Sequence, residues 1–114
     1  MLGMRIMASA DKFADPILVR FRAALDQAYG NRIERVVLFG SRARGDAQAD
    51  SDYDIAVFLR DPGSFWREPG PLADIEADIL YATGAVVTAL PFAAGTYRER
   101  TGFMQELRRD GVDL

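Results

Sequence analysis

Two short apolar runs, Val36-Val37-Leu38-Phe39 and Ile55-Ala56-Val57-Phe58-Leu59, constrain the fold of this chain more than any other feature. Both are rich in β-branched and aromatic residues and bounded by turn-forming ones, so they read as two neighbouring strands. What punctuates them is as informative as the runs themselves. The first ends in Gly40-Ser41, and ten residues later Asp52-Tyr53-Asp54 opens the second.

Each punctuation mark has a chemical reading. A glycine-serine turn offers backbone N–H groups and a hydroxyl to anionic oxygens such as those of a phosphate. Aspartates spaced i, i+2 on a strand point to the same side. Asp52 and Asp54 thus present hard oxygen ligands a few Å apart, suited to Mg²⁺ or Mn²⁺. Two ionised carboxylates so placed repel each other, and a divalent ion that also bridges a triphosphate relieves the repulsion. The plainer readings are a serine helix cap and two solvated strand-edge acids. Capping and anion binding use the same N–H groups, so the serine cap and the phosphate site coexist.

Composition narrows the chemistry further. The chain has 114 residues, no cysteine and no histidine. Disulfides, thiolate metal sites, imidazole bases and Ser-His-Asp catalysis are all excluded. Carboxylates, hydroxyls, arginines and a hard metal ion remain, a set suited to phosphoryl or nucleotidyl transfer. A net charge of −3 and a pI near 4.9 argue against broad nucleic-acid binding. No stretch is long and apolar enough to span a bilayer or serve as a secretory signal, so a cytoplasmic location is the expectation. The length fits one domain over residues 1–114, with 1–10 as a flexible N-terminal segment.

Helices fill the remaining positions. Asp15-Pro16 reads as an N-cap followed by proline at the first helical position. Ile17, Leu18, Phe21, Leu25 and Ala28 then recur at helical spacing, up to a stop at Gly30. Ile33 to Phe39 is the first strand, Ser41 to Gly45 a short helix or turn, and Tyr53 to Arg60 the second strand. A connection rich in proline and glycine (Pro62, Gly63, Pro69, Gly70, Pro71) carries Phe65 and Trp66, which either fold back onto the core or form a base- or partner-binding patch. A second amphipathic helix spans about Leu72 to Thr83, with Leu72, Ile75, Ile79 and Leu80 inward and Gly84 as its stop. Ala85 to Leu90 is a third strand closed by Pro91. A last helix, starting at Tyr97 or Thr101 and ending at Asp110, buries Phe103, Met104 and Leu107. The order predicts an α/β (α+β) fold, a small mixed sheet flanked by helices.

The stretch Gly40-Ser41-Arg42-Ala43-Arg44-Gly45, with Ser51-Asp52-Tyr53-Asp54-Ile55-Ala56-Val57, resembles the signature of the polymerase β nucleotidyltransferase superfamily. More narrowly it resembles the minimal nucleotidyltransferases, often encoded beside HEPN-domain partners as antitoxins. The resemblance implies a polymerase β-like core, Mg²⁺ or Mn²⁺ held by Asp52 and Asp54, and ATP as substrate. It also implies phosphate binding by Gly40, Ser41 and arginine, with Arg44 favoured over Arg42. The implied activity is transfer of AMP to a hydroxyl, a tyrosine, of a HEPN-type partner. Alternatives are neutralisation of that partner by binding alone and nucleotidylation of a small cationic acceptor such as an aminoglycoside. Homo- and hetero-oligomers are both compatible with the chain.

One departure stands out. Active members of the superfamily usually carry a third carboxylate on the strand after Asp-x-Asp. Here that strand holds no acid; Thr88 is its only polar side chain, grouped by alternation with Val86 and Leu90. Glu76 and Asp78 on the preceding helix are the nearest substitutes in sequence. Tyr53 is expected to pack into the sheet, and Arg98, Arg100, Arg108 and Arg109 to form a solvated helix face or meet an acidic partner.

Overall fold

The computed structural model describes residues 15–60 and 70–114. Phe65, Trp66 and the segment 1–10 lie outside the described residues. Helix α1 (Pro16–Tyr29) starts as the sequence dictates, with the Asp15 carboxylate accepting from the Ile17 N–H at 2.9 Å. A single 3₁₀ turn leads to β1 (Ile33–Phe39), then α2 (Ser41–Arg44) and β2 (Tyr53–Leu59). Helix α3 (Gly70–Thr83), β3 (Val87–Ala93), a second 3₁₀ turn, α4 (Gly102–Asp110) and β4 (Val112–Asp113) complete the order.

The strands form one mixed sheet in the order β3-β2-β1-β4. β1 lies antiparallel to both β2 and β4, whereas β2 and β3 run parallel. Alternation along each strand divides the side chains between two apolar layers. On one face Val36, Leu38, Ile55, Val57, Leu59 and Val87 meet α1 and α3 through Leu18, Phe21, Leu25, Leu72, Ile75 and Ile79. On the other, Val37, Ala56 and Phe58 meet Met104 and Leu107 of α4. Aromatic rings seal this second layer, with Phe39 edge-on to Phe103 at 5.2 Å and Phe58 stacked on Phe92 at 5.3 Å.

Four expectations are corrected. Tyr29, not Ala28, completes the buried stripe of α1, and Leu80 is half exposed because the inward stripe of α3 is Leu72, Ile75 and Ile79. β3 runs through Pro91 instead of stopping there. The Tyr53 N–H donates to the Val86 carbonyl, so the even-numbered residues of β3 bond to β2 and Pro91 points its missing donor at the free edge. The fourth is the C-terminus, where the expected order stops at the last helix but β4 follows it. Gly111 makes that strand possible: a Cβ there would lie 2.5 Å from both the Leu107 carbonyl and Val37 Cγ1.

Candidate active site

The Gly40-Ser41 bend sits where β1 meets α2. Gly40 adopts φ 75°, ψ −157°, a conformation essentially reserved for glycine. Its carbonyl accepts from the N–H groups of Ala43 and Arg44 at 3.1 Å. The N–H groups of Ser41 and Arg42, the first two of the helix, have no protein acceptor among the described residues. They therefore stand available to an anion.

Asp54 faces this bend. Phe39 and Asp54 are register partners on β1 and β2, which places Gly40 directly beside the aspartate. A Cβ built on Gly40 would fall 2.6 Å from Asp54 Oδ2, so the absence of a side chain there admits the carboxylate. Burial, and then the negative charge of Asp52, push the Asp54 carboxyl above its ordinary range. Asp52, two residues earlier, is exposed and shares the side of Asp54. Among the described residues the Asp52 side chain makes no hydrogen bond.

Thr88 is the register partner of Asp54 on β3 and is exposed, as are its alternates Val86 and Leu90. The position across from the acids thus holds a hydroxyl. Neither acid of α3 fills the gap, because α3 packs on the opposite face of the sheet. Glu76 Oε2 instead accepts from the Ala89 N–H at 2.7 Å on the free edge of β3, and Asp78 is exposed. Among the described residues no group of three or more carboxylates, histidines or cysteines converges. The hard carboxylate oxygens of Asp52 and Asp54 are of the kind that would suit a divalent cation.

The two arginines of α2 part company. Arg44 is exposed and, among the described residues, makes one long ion pair, Nε to Asp46 Oδ2 at 3.4 Å. Arg42 turns to the other side of the sheet. Its Nε and Nη2 donate to the Ser51 carbonyl at 3.0 and 2.8 Å, and Nη2 also reaches the Ala49 carbonyl at 3.2 Å. Its guanidinium carbon lies 3.9 Å from the centre of the Tyr53 ring. Tyr53 is buried, as expected, and its hydroxyl donates to Asp15 Oδ2 at 2.8 Å. The structure thus brings Asp54 against the Gly40 bend, with the Asp52 charge close to Asp54, but turns the Arg42 side chain to the other side of the sheet. The Asp15–Tyr53–Arg42 linkage escaped the sequence reading, since a capping aspartate and a core tyrosine each look complete alone. The C-terminal arginines are largely engaged within the chain: Arg98 with Glu34, Arg109 with Asp110, and Arg108 with the carbonyls of Tyr97 and Glu99.

With this geometry in place, comparison with known proteins is direct. Residues 18–107 match the sequence profile of the nucleotidyltransferase domain, and the chain belongs to that family. It is 22% identical over 98 residues to a Methanocaldococcus jannaschii protein named as a candidate protein adenylyltransferase, covering 86% of this chain and 95% of the relative. Two crystal structures share the fold. One chain from a toxin-antitoxin with AMP-PNP superposes with a TM-score of 0.55 at 19% identity, over 83% of this chain and 69% of that one. A candidate nucleotidyltransferase from Sulfolobus solfataricus gives 0.53 at 21% identity, over 97% and 90%. The mixed sheet flanked by helices is therefore the nucleotidyltransferase fold, and the enzyme class is nucleotidyltransferase. Among the described residues no helix is long and apolar enough to cross a membrane.

Proposed function

We propose that this nucleotidyltransferase transfers AMP from ATP to a protein hydroxyl, a tyrosine on a HEPN-type partner, and thereby acts as the antitoxin of that partner. The observation that carries the reading is the close approach of Asp54 to the Gly40 bend, which sets an acidic pair against open N–H groups. The relative named for protein adenylylation and the toxin-antitoxin neighbour with AMP-PNP support the acceptor and nucleotide classes.

In this reading Asp52 and Asp54 hold a Mg²⁺ or Mn²⁺ ion together with phosphate oxygens. The bound ion supplies charge neutralisation at the reacting and departing phosphates. The N–H groups of Ser41 and Arg42 and the Ser41 hydroxyl hold the β- and γ-phosphates, and exposed Arg44 adds positive charge. The acceptor oxygen attacks the α-phosphorus, its bond to the pyrophosphate oxygen breaks, and the hydroxyl proton passes to solvent. Because β3 carries no acid, proton removal is slower by about 10²–10⁴, which a one-time modification of a stoichiometric partner tolerates.

Thr88 in register with Asp54 favours a second reading, in which the domain neutralises its partner by binding alone. Incubating both proteins with Mg²⁺-ATP and weighing the partner intact separates the two. One AMP increment, lost in Asp54→Asn, supports transfer. An unmodified partner that Asp54→Asn still neutralises overturns transfer in favour of occlusion.

A further inference from the structure

We propose that Arg42 is a positioning residue that sets the distance between the Gly40-Ser41 bend and the Asp52 carboxylate. The inference rests on the reading of Asp52 as a ligand of the metal–nucleotide complex. Asp52 is exposed, its side chain makes no hydrogen bond among the described residues, and it lies just ahead of β2. Its position is therefore set by its backbone. The fork from Arg42 Nε and Nη2 closes on the Ser51 carbonyl, which belongs to the same planar peptide unit as the Asp52 N–H. Fixing that oxygen fixes the plane from which the Asp52 side chain springs.

Both ends of the clamp are anchored. Arg42 is the second residue of α2, directly after the bend, so its Cα moves with the phosphate-facing N–H groups. Its guanidinium lies against the Tyr53 ring, Tyr53 bonds to Asp15, and Asp15 caps α1 through the Ile17 N–H. At the loop end the chain folds on itself: Ser51 N–H donates to the Gln48 carbonyl at 3.1 Å, and Gln48 N–H to Ser51 Oγ at 2.9 Å. One side chain thus ties the two halves of the site across the polar loop that separates them in sequence. Lysine cannot replace it, because a single ammonium offers neither the fork nor the flat face that stacks on tyrosine. Arg44, with one long contact to Asp46, has no such constraint.

The test compares wild type, Arg42→Lys and Arg44→Lys in the full chain. Mn²⁺ is titrated at saturating ATP, ATP binding is measured without metal, and amide hydrogen exchange is followed in parallel. Arg42→Lys should weaken Mn²⁺ uptake about tenfold, by loosening the peptide that carries Asp52, and leave metal-free ATP binding unchanged. It should also speed exchange at the Gln48 and Ser51 amides while Ile55–Leu59, the folding control, stays protected. Arg44→Lys should leave the exchange untouched. Wild-type Mn²⁺ affinity and slow loop exchange in Arg42→Lys overturn the proposal, and so does weakened metal-free ATP binding with the loop still protected. If wild type takes up no Mn²⁺ with ATP, the nucleotidyl-transfer reading fails. The exchange data then still decide whether Arg42 holds the loop.

Discussion

Tyr53 and Asp54 are consecutive residues of β2, yet the sheet sends them into opposite environments. Tyr53 faces α1 and is enclosed, its ring under Arg42 and its hydroxyl on Asp15. Asp54 faces the α4 side, where the helix covers Val37, Ala56 and Phe58 but leaves Asp54 half-buried and Thr88 exposed. On the first face every polar atom named has a partner within the chain. On the second, a carboxylate whose ionised form is disfavoured by burial and by Asp52 sits against the Gly40 bend, where the Ser41 and Arg42 N–H groups have no acceptor among the described residues. The contrast teaches how a small domain divides its labour. One face fixes the strand, and the other, on the proposed reading, offers its charge and the N–H groups of the bend to a ligand.

The sharpest way to break this comparison is to remove the unmet charge. Asp54→Asn keeps the shape of the side chain and deletes one carboxylate oxygen of the proposed metal site. The loss of several kcal/mol of transition-state stabilisation corresponds to about 10²–10³ in the rate of AMP transfer. The same variant should fold at least as well as wild type in the absence of metal. Because the folded-state carboxyl is raised above its unfolded value, ionised Asp54 opposes folding at neutral pH. That opposition disappears as pH falls towards the unfolded carboxyl value near about 3.9. Thermal unfolding at neutral pH beside a transfer assay checks both halves. A variant that is both inactive and unstable would assign Asp54 to the structural face.

Gly40→Ala tests whether the two strands must meet without a side chain between them. The new methyl group would collide with Asp54 Oδ2 in a backbone conformation that alanine resists. A stability loss of about 1–3 kcal/mol is expected from the backbone alone. Transfer should fall as the carboxylate is pushed from the bend. Wild-type activity and melting temperature would show that the close approach is dispensable.

Much of this was legible from local chemistry. The Asp15-Pro16 cap, the exact span of β1 and the approach of Asp54 to the bend follow from residues close in sequence, whose preferences no distant contact overrides. Other features depend on what lies across the sheet. Pro91 reads as a strand terminator until β3 is seen to be an edge strand, where a missing N–H costs nothing. Two-residue β4 has no periodicity to detect, and only the fit of Gly111 against Val37 explains it. Arg42 was hardest, because its acceptors are backbone carbonyls, present at every residue and so invisible as a pattern.

The smallest expected effect belongs to the closed face. Tyr53→Phe keeps the ring under Arg42 and removes one hydrogen bond to Asp15, so about 0.5–1.5 kcal/mol of stability should go at neutral pH. The alkaline limb discriminates further. The Tyr53 hydroxyl is pushed up to about 12 by burial, then by the hydrogen bond and charge of Asp15, against an unfolded value near about 10. Between those two values the folded chain holds a proton that the unfolded chain has released. Stability therefore falls as pH rises through that window. Wild type should lose ground there relative to Tyr53→Phe, and the difference between their melting temperatures, taken at pH 8 and again near pH 11, isolates this one hydroxyl from the other tyrosines. A difference that does not narrow would mean that Tyr53 is not enclosed as its bond to Asp15 requires. The contrast between the two sides of β2 would then lose its structural half.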